Sequence, residues 1–191
     1  MNDKLTIWFP LLLLGILAAL TFWLDHAVQI PAAGRIGAMR HDPDYIAANL
    51  LATRMAADGG IKSTLFATKM IHYADDESTY LQAPKLVSYN PGKPPITITS
   101  REALMSKDGT NVYFKDHVRV SRAPFDDKSE LVMQTSYLHV IPDDKIAKTD
   151  RPVTITDANT VVNAVGLELD GNTRILKLNS RVKGTYEQHK K

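Results

Sequence analysis

Residues 111–122 read NVYFKDHVRVSR, and the order of their apolar and polar side chains decides the fold class. In the second half of this stretch, Val118 and Val120 alternate with Arg119 and Ser121. Successive side chains of a β-strand point to opposite faces, so the two valines share one face and their polar neighbours share the other. The turn signal DGT directly precedes the stretch. We therefore predict a half-buried strand that follows a tight turn.

Segments of the same kind recur from Tyr45 to near the end of the chain. Turn signals separate them, among them DGG at 58–60, PGKPP at 91–95 and DGN at 170–172. REALMSK lies between two hairpin signals and is interpreted as a strand. The other segments are YIAANLLATRMAA, IKSTLFATKMIHY, KLVSYN, ITITS, ELVMQTSYLHVI, PVTITD, TVVNAVGLELD and TRILKLNSRVKGTYE. Many short strands with this punctuation predict an all-β sandwich, barrel or roll.

An apolar run without any charged residue, Leu5 to Leu24, precedes these segments. A helix of that length spans about 30 Å, the thickness of a hydrocarbon core. A secretory signal peptide is the alternative, but its apolar region is usually about 7–15 residues long and ends at a small-x-small cleavage site. Here Asp25 and His26 follow the run directly. We therefore expect a retained transmembrane helix. Lys4 on one side and Arg35 and Arg40 on the other do not decide its orientation; we choose the N-terminus inside and the following domain outside.

Composition and charge narrow the possible functions. The chain has 191 residues and a net charge of +2, which suits one domain with a short appendage and gives no reason to expect nucleic-acid binding. Cysteine is absent, so disulfides and thiolate metal sites are excluded.

Few residues suggest catalysis or metal binding. The six histidines form no H-E-x-x-H motif. His72 and His117 could meet across strands, but structural or surface histidines are the favoured interpretation. The acidic run Asp75 to Glu77 is interpreted as a turn. We therefore expect no catalytic residue, no metal and no cofactor; an anchored hydrolase, depending on Asp75 or His72, is the least favoured hypothesis.

The order of several segments resembles the LptC family of lipopolysaccharide export proteins. The resemblance rests on DYIAANLLATRMAADGG, LFATKMIHYADDESTYLQAPKL, VYFKDHVRVSR, TSYLHVIPDDKIAKTDRPVTI, GLELD and LKLNSRVKGTYE, behind the apolar run. Two positions depart from the family pattern. Asp116-His117 stands where the family often has Gly-Asn, and Ile96 stands where a Trp is common.

The resemblance implies an open, twisted β-jelly roll behind a single N-terminal transmembrane helix. We expect a cytoplasmic N-terminus at 1–4, a transmembrane helix at 5–24, a linker at 25–41, a periplasmic lipopolysaccharide-binding domain at 42–187 and a basic tail at 188–191. The protein would be anchored in the inner membrane. It would receive lipopolysaccharide from the LptB–LptF–LptG ABC transporter and pass it to the periplasmic protein LptA.

The interior of the domain has two interpretations. Alternation alone is compatible with a filled core, in which case the protein would be a scaffold between its partners, whereas the resemblance implies an apolar groove for the acyl chains of lipid A. Arg54, Arg119 and Arg122 would either meet lipid A phosphates at the rim or lie solvated on the outer face. The expected groove residues are Leu50, Leu65, Leu81, Val112, Phe114, Val118, Val120, Met133, Leu138, Val140, Ile155, Leu176 and Leu178.

Partner contacts are expected at the two sheet edges, because unpaired strand edges accept a further strand. The transporter would contact the edge from Tyr45 to Met55, and LptA the edge from Leu176 to Tyr186. Gly166 is also counted among the partner-edge residues; it either allows close backbone approach or a bulge, or is a plain turn glycine. In the helix, Gly15 and Ala19 form a small-x-x-x-small face that either packs against the transporter or faces lipid.

Overall fold

The computed structural model describes residues 3–28, 41–173 and 175–187. The chain divides into two compact units, Met1–His41 and Asp42–Lys191. Residues 29–40, which make up most of the expected linker, and the expected basic tail at 188–191 lie outside the described residues.

The first unit contains one helix, α1, from Asp3 to Val28. Its segment Trp8–Ala27 has a mean hydropathy of 1.8 and is long and apolar enough to cross a membrane. The side chains of this segment are exposed, so no protein core surrounds it within the described part of the chain. Pro10 lies early in the helix, where its missing N–H costs least. The helix expected from the apolar run is therefore present, and it extends beyond Leu24.

Among the described residues of the second unit, every element of regular secondary structure is a strand, and REALMSK contributes one of them, as predicted. This confirms the all-β fold class behind an N-terminal helix. The strands are β1 (Pro43–Met55), β2 (Ile61–Tyr73), β3 (Thr79–Gln82), β4 (Lys85–Ser88), β5 (Ile96–Thr99), β6 (Glu102–Met105), β7 (Val112–Arg122), β8 (Leu131–Ile141), β9 (Ile146–Thr156), β10 (Thr160–Asp170) and β11 (Ile175–Tyr186).

The strands form one antiparallel sheet in a simple up-and-down order. β3 and β4 pair with β2 in one continuous register, so they are two parts of one strand interrupted at Ala83 and Pro84. β5 and β6 are likewise one strand interrupted at Ser100 and Arg101, because both keep one register against β4 and β3. Each long strand between β1 and β11 therefore hydrogen-bonds to the strands before and after it in the chain.

A line of irregular backbone, which we call the crease, crosses this sheet near the middle of its strands. Register shifts mark it between Lys115 and Val118 in β7 and between Thr135 and His139 in β8. The backbone remains hydrogen-bonded there, since the Ala83 amide donates to the Arg101 carbonyl at 2.8 Å. Six residues of the crease have a left-handed φ: Asn49, Ala83, Asp116, His117, Gly166 and Arg181.

The crease divides the sheet into two half-sheets. The first half-sheet contains β4, β5 and the adjoining parts of the long strands, and the second contains β3, β6 and the adjoining parts. One apolar cluster contains Ile98 and Val118 from the first half-sheet together with Leu81 and Phe114 from the second. The sheet is therefore folded along the crease, and the two half-sheets share a core.

Candidate functional site

The buried apolar side chains of the long strands lie on one side of the folded sheet on both sides of the crease, and we call this side the inner face. In β7, Val112 and Val118 are buried on opposite sides of the crease. In β10, Ala164 and Leu167 are both buried although they are three residues apart. Strict alternation would place these two on opposite faces. Gly166, with φ of 80°, lies at the intervening register shift and restores the inward direction.

The inner face contains nearly all the residues expected to line a groove. Leu176 shares the face of Leu178 in β11, but it is 45% exposed and belongs to neither apolar cluster. The others belong to two apolar clusters, whose expected groove residues are Leu50, Leu65, Leu81, Val112, Phe114, Val118, Val120, Met133, Leu138 and Val140 in the first, and Met133, Ile155 and Leu178 in the second.

Met133 joins the two clusters, because it packs against both. The first cluster begins at Leu50 in β1, and the second reaches Leu178 in β11. The inner face is therefore one apolar row that runs across the sheet from its first strand to its last.

The middle of this row is closed in the conformation described. Leu81, Phe114 and Leu138 have 0% exposure. A bound acyl chain can touch these three side chains only if the half-sheets move apart. Groove residues that remain partly exposed are Leu50, Leu65, Val120, Met133, Ile155 and Leu178.

Three charged residues meet at the outer ends of the half-sheets. Arg54 Nη2 lies 3.2 Å from Asp143 Oδ1, and Lys62 Nζ donates to the same carboxylate oxygen at 3.2 Å. The hydrogen bond from Lys62 and the charge of Arg54 lower the pKa of Asp143 below its ordinary value. Sequence reasoning missed Lys62 and Asp143, because they lie 81 positions apart and no local pattern connects them.

The two other arginines expected at the rim have different surroundings. Arg119 alternates with the inward-facing Val118 and Val120, and its guanidinium lies 3.5 Å from Glu130 Oε1. Arg122 Nη2 donates to the Ser129 carbonyl at 2.8 Å. Both guanidinium groups therefore already have partners in the adjoining β7–β8 hairpin.

The structure gives His72 a structural environment. Its Nδ1 lies 2.7 Å from Asp44 Oδ1, and its ring stacks on Tyr45 with centroids 4.5 Å apart. These contacts hold the start of β1 against β2. His117 lies in β7, which is not a neighbour of β2 in the sheet, so the two histidines are not cross-strand neighbours. Asp76 acts as expected for a turn residue, since its Oδ1 accepts the Ser78 amide at 2.9 Å.

The described sheet has free edges at its first and last strands. β1 hydrogen-bonds to β2 and β11 hydrogen-bonds to β10, and their other edges have no strand partner within the described residues. Gly166 is not at an edge, because it lies in β10, which pairs with β9 on one side and β11 on the other. Exposed apolar side chains occur on both, including Leu51 in β1 and Val182 in β11.

Comparison with known proteins identifies a family. Residues 11–187 match the family model described as "LptC: Lipopolysaccharide-assembly, LptC-related". The match covers the last part of α1 and every strand. The comparison with curated proteins found no match.

Proposed function

The chain belongs to the LptC-related family, which takes part in lipopolysaccharide transport and is anchored in the inner membrane, and from this premise we propose that it binds lipopolysaccharide and transfers it. The donor is the LptB–LptF–LptG transporter and the acceptor is LptA. The N-terminus at 1–4 is cytoplasmic, the apolar run at 5–24 crosses the inner membrane, and the domain at 42–187 is periplasmic. Residues 25–28 of the expected linker at 25–41 belong to α1.

The observation that supports this proposal most directly is the continuous apolar row on the inner face. Exposing lipid acyl chains to water costs about 0.8 kcal/mol per CH₂. A carrier must therefore cover the chains along their whole path. The row from Leu50 to Leu178 offers apolar contact from one free edge of the sheet to the other.

Movement of lipid along this row requires the half-sheets to separate, because the side chains in its middle are fully buried. Each fully buried Leu or Phe contributes roughly 1.5–3 kcal/mol by burial. An acyl chain that enters replaces these contacts with its own apolar contacts. Separating the half-sheets around a lipid therefore costs far less free energy than separating them in water. ATP hydrolysis by the transporter supplies the remaining free energy, and this protein performs no chemistry.

The two free edges are the docking surfaces in this proposal. A strand from the transporter extends the sheet at β1, from Tyr45 to Met55, and a strand from LptA extends it at β11, from Leu176 to Tyr186. Both edges present unpaired backbone groups that accept antiparallel or parallel additions. The apolar row would then continue into each partner.

Photo-crosslinking in cells tests the lipid path. A photoreactive residue at Met133 lies on the inner face, and the same residue at the neighbouring Gln134 lies on the exposed outer face. We expect lipopolysaccharide adducts from position 133 and few from position 134. Leu138 and His139 form a second such pair, in which adducts at 138 also require the core to open. Adducts from the outward positions alone would contradict the proposal.

A scaffold with a filled core is the second candidate, and the 0% exposure of Leu81, Phe114 and Leu138 favours it. In that case the protein would join the transporter to LptA without touching the lipid. Crosslinkers placed along β1 and β11 would then capture protein partners, while those at 133 and 138 would capture no lipid.

A further inference from the structure

The ion cluster of Arg54, Lys62 and Asp143 joins parts of the sheet that are far apart in its strand order. Arg54 lies near the end of β1, and Asp143 lies in the turn between β8 and β9. From β1 to β8 the sheet order takes five strand steps. In a flat sheet these five steps would separate the two residues by about 24 Å. They also lie at opposite ends of their strands. Their 3.2 Å contact therefore depends on the fold along the crease together with the twist of the sheet, which crosses one half-sheet over the other.

The cluster also lies at the inner rim of the folded sheet. Leu50 pairs with Ala67, Ala52 with Leu65, and Arg54 with Ser63 in one register. Arg54 therefore extends from the face that bears Leu50 and Leu65, both of which pack against the core. Asp143 comes from the outer end of the opposite half-sheet. The three residues thus connect the outer ends of the two half-sheets, opposite the crease.

The charges of this cluster do not balance. Two cations converge on a single carboxylate, and the side chains of Arg54 and Asp143 are 52% and 48% exposed. Arginine and lysine bind carboxylate and phosphate oxygens by the same charge-assisted hydrogen bonds. Asp143 therefore occupies a position that suits a phosphate group, and a phosphate would carry more negative charge to the same two cations.

We propose that Arg54 and Lys62 form a phosphate-binding site for an amphiphilic ligand, and that Asp143 is an internal competitor that closes the half-sheets while this site is empty. A ligand phosphate displaces the Asp143 carboxylate, which releases the contact between the half-sheets. Its acyl chains then enter between them. This assignment rests on the proposed lipid-transfer function and adds to it a determinant for the head group.

Binding of matched lipids to the full-length protein in detergent tests this site. The two probes are diphosphoryl lipid A and the same lipid A after removal of both phosphates. Arg54→Gln combined with Lys62→Gln should weaken binding of the diphosphoryl form on the order of tenfold, as expected for lost charged hydrogen bonds. Binding of the dephosphorylated form should not change. Asp143→Asn should tighten binding of the diphosphoryl form about two- to fivefold, the equilibrium factor of one exposed ion pair.

Lys107→Gln is the matched control. Lys107 forms an ion pair with Glu77, but these two residues lie in turns of the same half-sheet. The control should leave binding of both lipids unchanged, and thermal unfolding should confirm that all variants fold. An equal loss for both lipids in the double variant, or no loss, would overturn the phosphate site while leaving the lipid-transfer function intact.

Two further outcomes separate the possible failures. If the wild-type protein binds neither lipid, the lipid-transfer function fails and the amphiphile site fails with it. If the wild-type protein does bind diphosphoryl lipid A, titration with inorganic phosphate tests whether Arg54 and Lys62 bind the phosphate group itself. If inorganic phosphate displaces diphosphoryl lipid A only from proteins that retain Arg54 and Lys62, these two residues bind the phosphate group of the lipid. If inorganic phosphate binds as tightly as the lipid, the site recognises free phosphate, and the proposed amphiphile ligand is wrong.

Discussion

The side chain of Asn179 occupies the space that any side chain on Gly166 would need. A Cβ on Gly166 would lie 2.6 Å from Asn179 Nδ2 and 3.0 Å from Asn179 Cβ. Gly166 also has a φ of 80°. Both facts follow from its place in the crease, where β10 shifts its register against β9. Of the two interpretations of this glycine, close approach at a bulge is therefore the one the structure supports.

Gly166→Ala should lower the free energy of unfolding by about 1–3 kcal/mol, because the left-handed backbone alone costs about that much for a residue with a Cβ. Gly184→Ala is the control in the neighbouring strand, since its Cβ would meet only Val162 Cγ2 at 3.9 Å. Adding Asn179→Ala should restore part of the loss. Urea denaturation gives the free energy of unfolding of all three variants. Equal stability of Gly166→Ala and Gly184→Ala would show that neither the left-handed backbone nor Asn179 requires a glycine at position 166.

Asp116 and His117 should tolerate residues that favour a left-handed backbone. Their φ values are 58° and 54°, a conformation that costs most L-residues roughly 1–2 kcal/mol. Asp116→Gly combined with His117→Asn places here the pair that the family often has. Relief of the left-handed strain should raise the free energy of unfolding. The gain should not exceed about 1 kcal/mol, because glycine also raises the entropy of the unfolded chain, which offsets part of it.

Lys115→Gly is the control for this pair. It lies next to the crease but has ordinary strand pairing with Glu102 and Tyr137. Glycine should destabilise the protein there by about 0.5–1 kcal/mol. The same direction of change in both variants would mean that the crease is not strained.

Leu138→Ala should lower the free energy of unfolding by about 2–5 kcal/mol, because the side chain is completely buried and its removal leaves a cavity. Leu131 is in the same strand and is 37% exposed. Leu131→Ala should therefore lower the free energy of unfolding by clearly less than Leu138→Ala does. Thermal and urea unfolding compare the two. If the losses are similar, the half-sheets are already apart in solution.

His139 should make the stability depend on pH. Burial and the nearby Lys148 charge lower the pKa of His139 below its ordinary value of 6.5, and its Nε2 lies 2.8 Å from Asn111 Oδ1. The folded state therefore favours the neutral ring. Its contribution is fully present above about pH 6.5 and is lost as the pH falls through the lower folded pKa. Its NMR titration should have a midpoint below 6.5, and His139→Phe should make stability depend less on pH in that range.

The helix face containing Gly15 and Ala19 is proposed to pack against the transporter. Replacing both with Leu should reduce co-purification with LptB–LptF–LptG, because bulky side chains prevent close approach of two helices in lipid. Leu13→Ile and Leu17→Ile change the opposite helix face and serve as the control. Membrane insertion should be normal in both. Unchanged co-purification would leave the helix as a simple anchor.

The strands could be predicted because each half of a strand obeys strict alternation. In β7, Val118 and Val120 face the core while Arg119 is exposed, as the pattern indicated. Turns were also recognisable, because Asp-Gly and proline-rich sequences favour them locally. The apolar run predicted the membrane-spanning helix, whereas the jelly roll and the role in lipopolysaccharide transport came only from the resemblance to a known family.

The crease could not be predicted, because its residues share no chemical type. Gly166 was a visible signal, but Ala83 and Arg181 have left-handed φ values that their side chains do not favour. Because the crease changes the phase of alternation, one continuous pattern along β10 would misplace either Ala164 or Leu167. Leu176 lies in β11, which has no strand on its outer side within the described residues, so the alternation pattern overestimated the burial of this side chain.

The up-and-down strand order has a consequence for how the domain forms. Since each long strand of the described sheet pairs only with its neighbours in the chain, the sheet can grow strand by strand, as a repeat protein does. Each new strand uses as its template the edge that the previous strand has just completed. β11 joins β10 in this way and leaves an edge of the same kind. A strand supplied by another protein would repeat that step, so assembly with a partner is a continuation of folding.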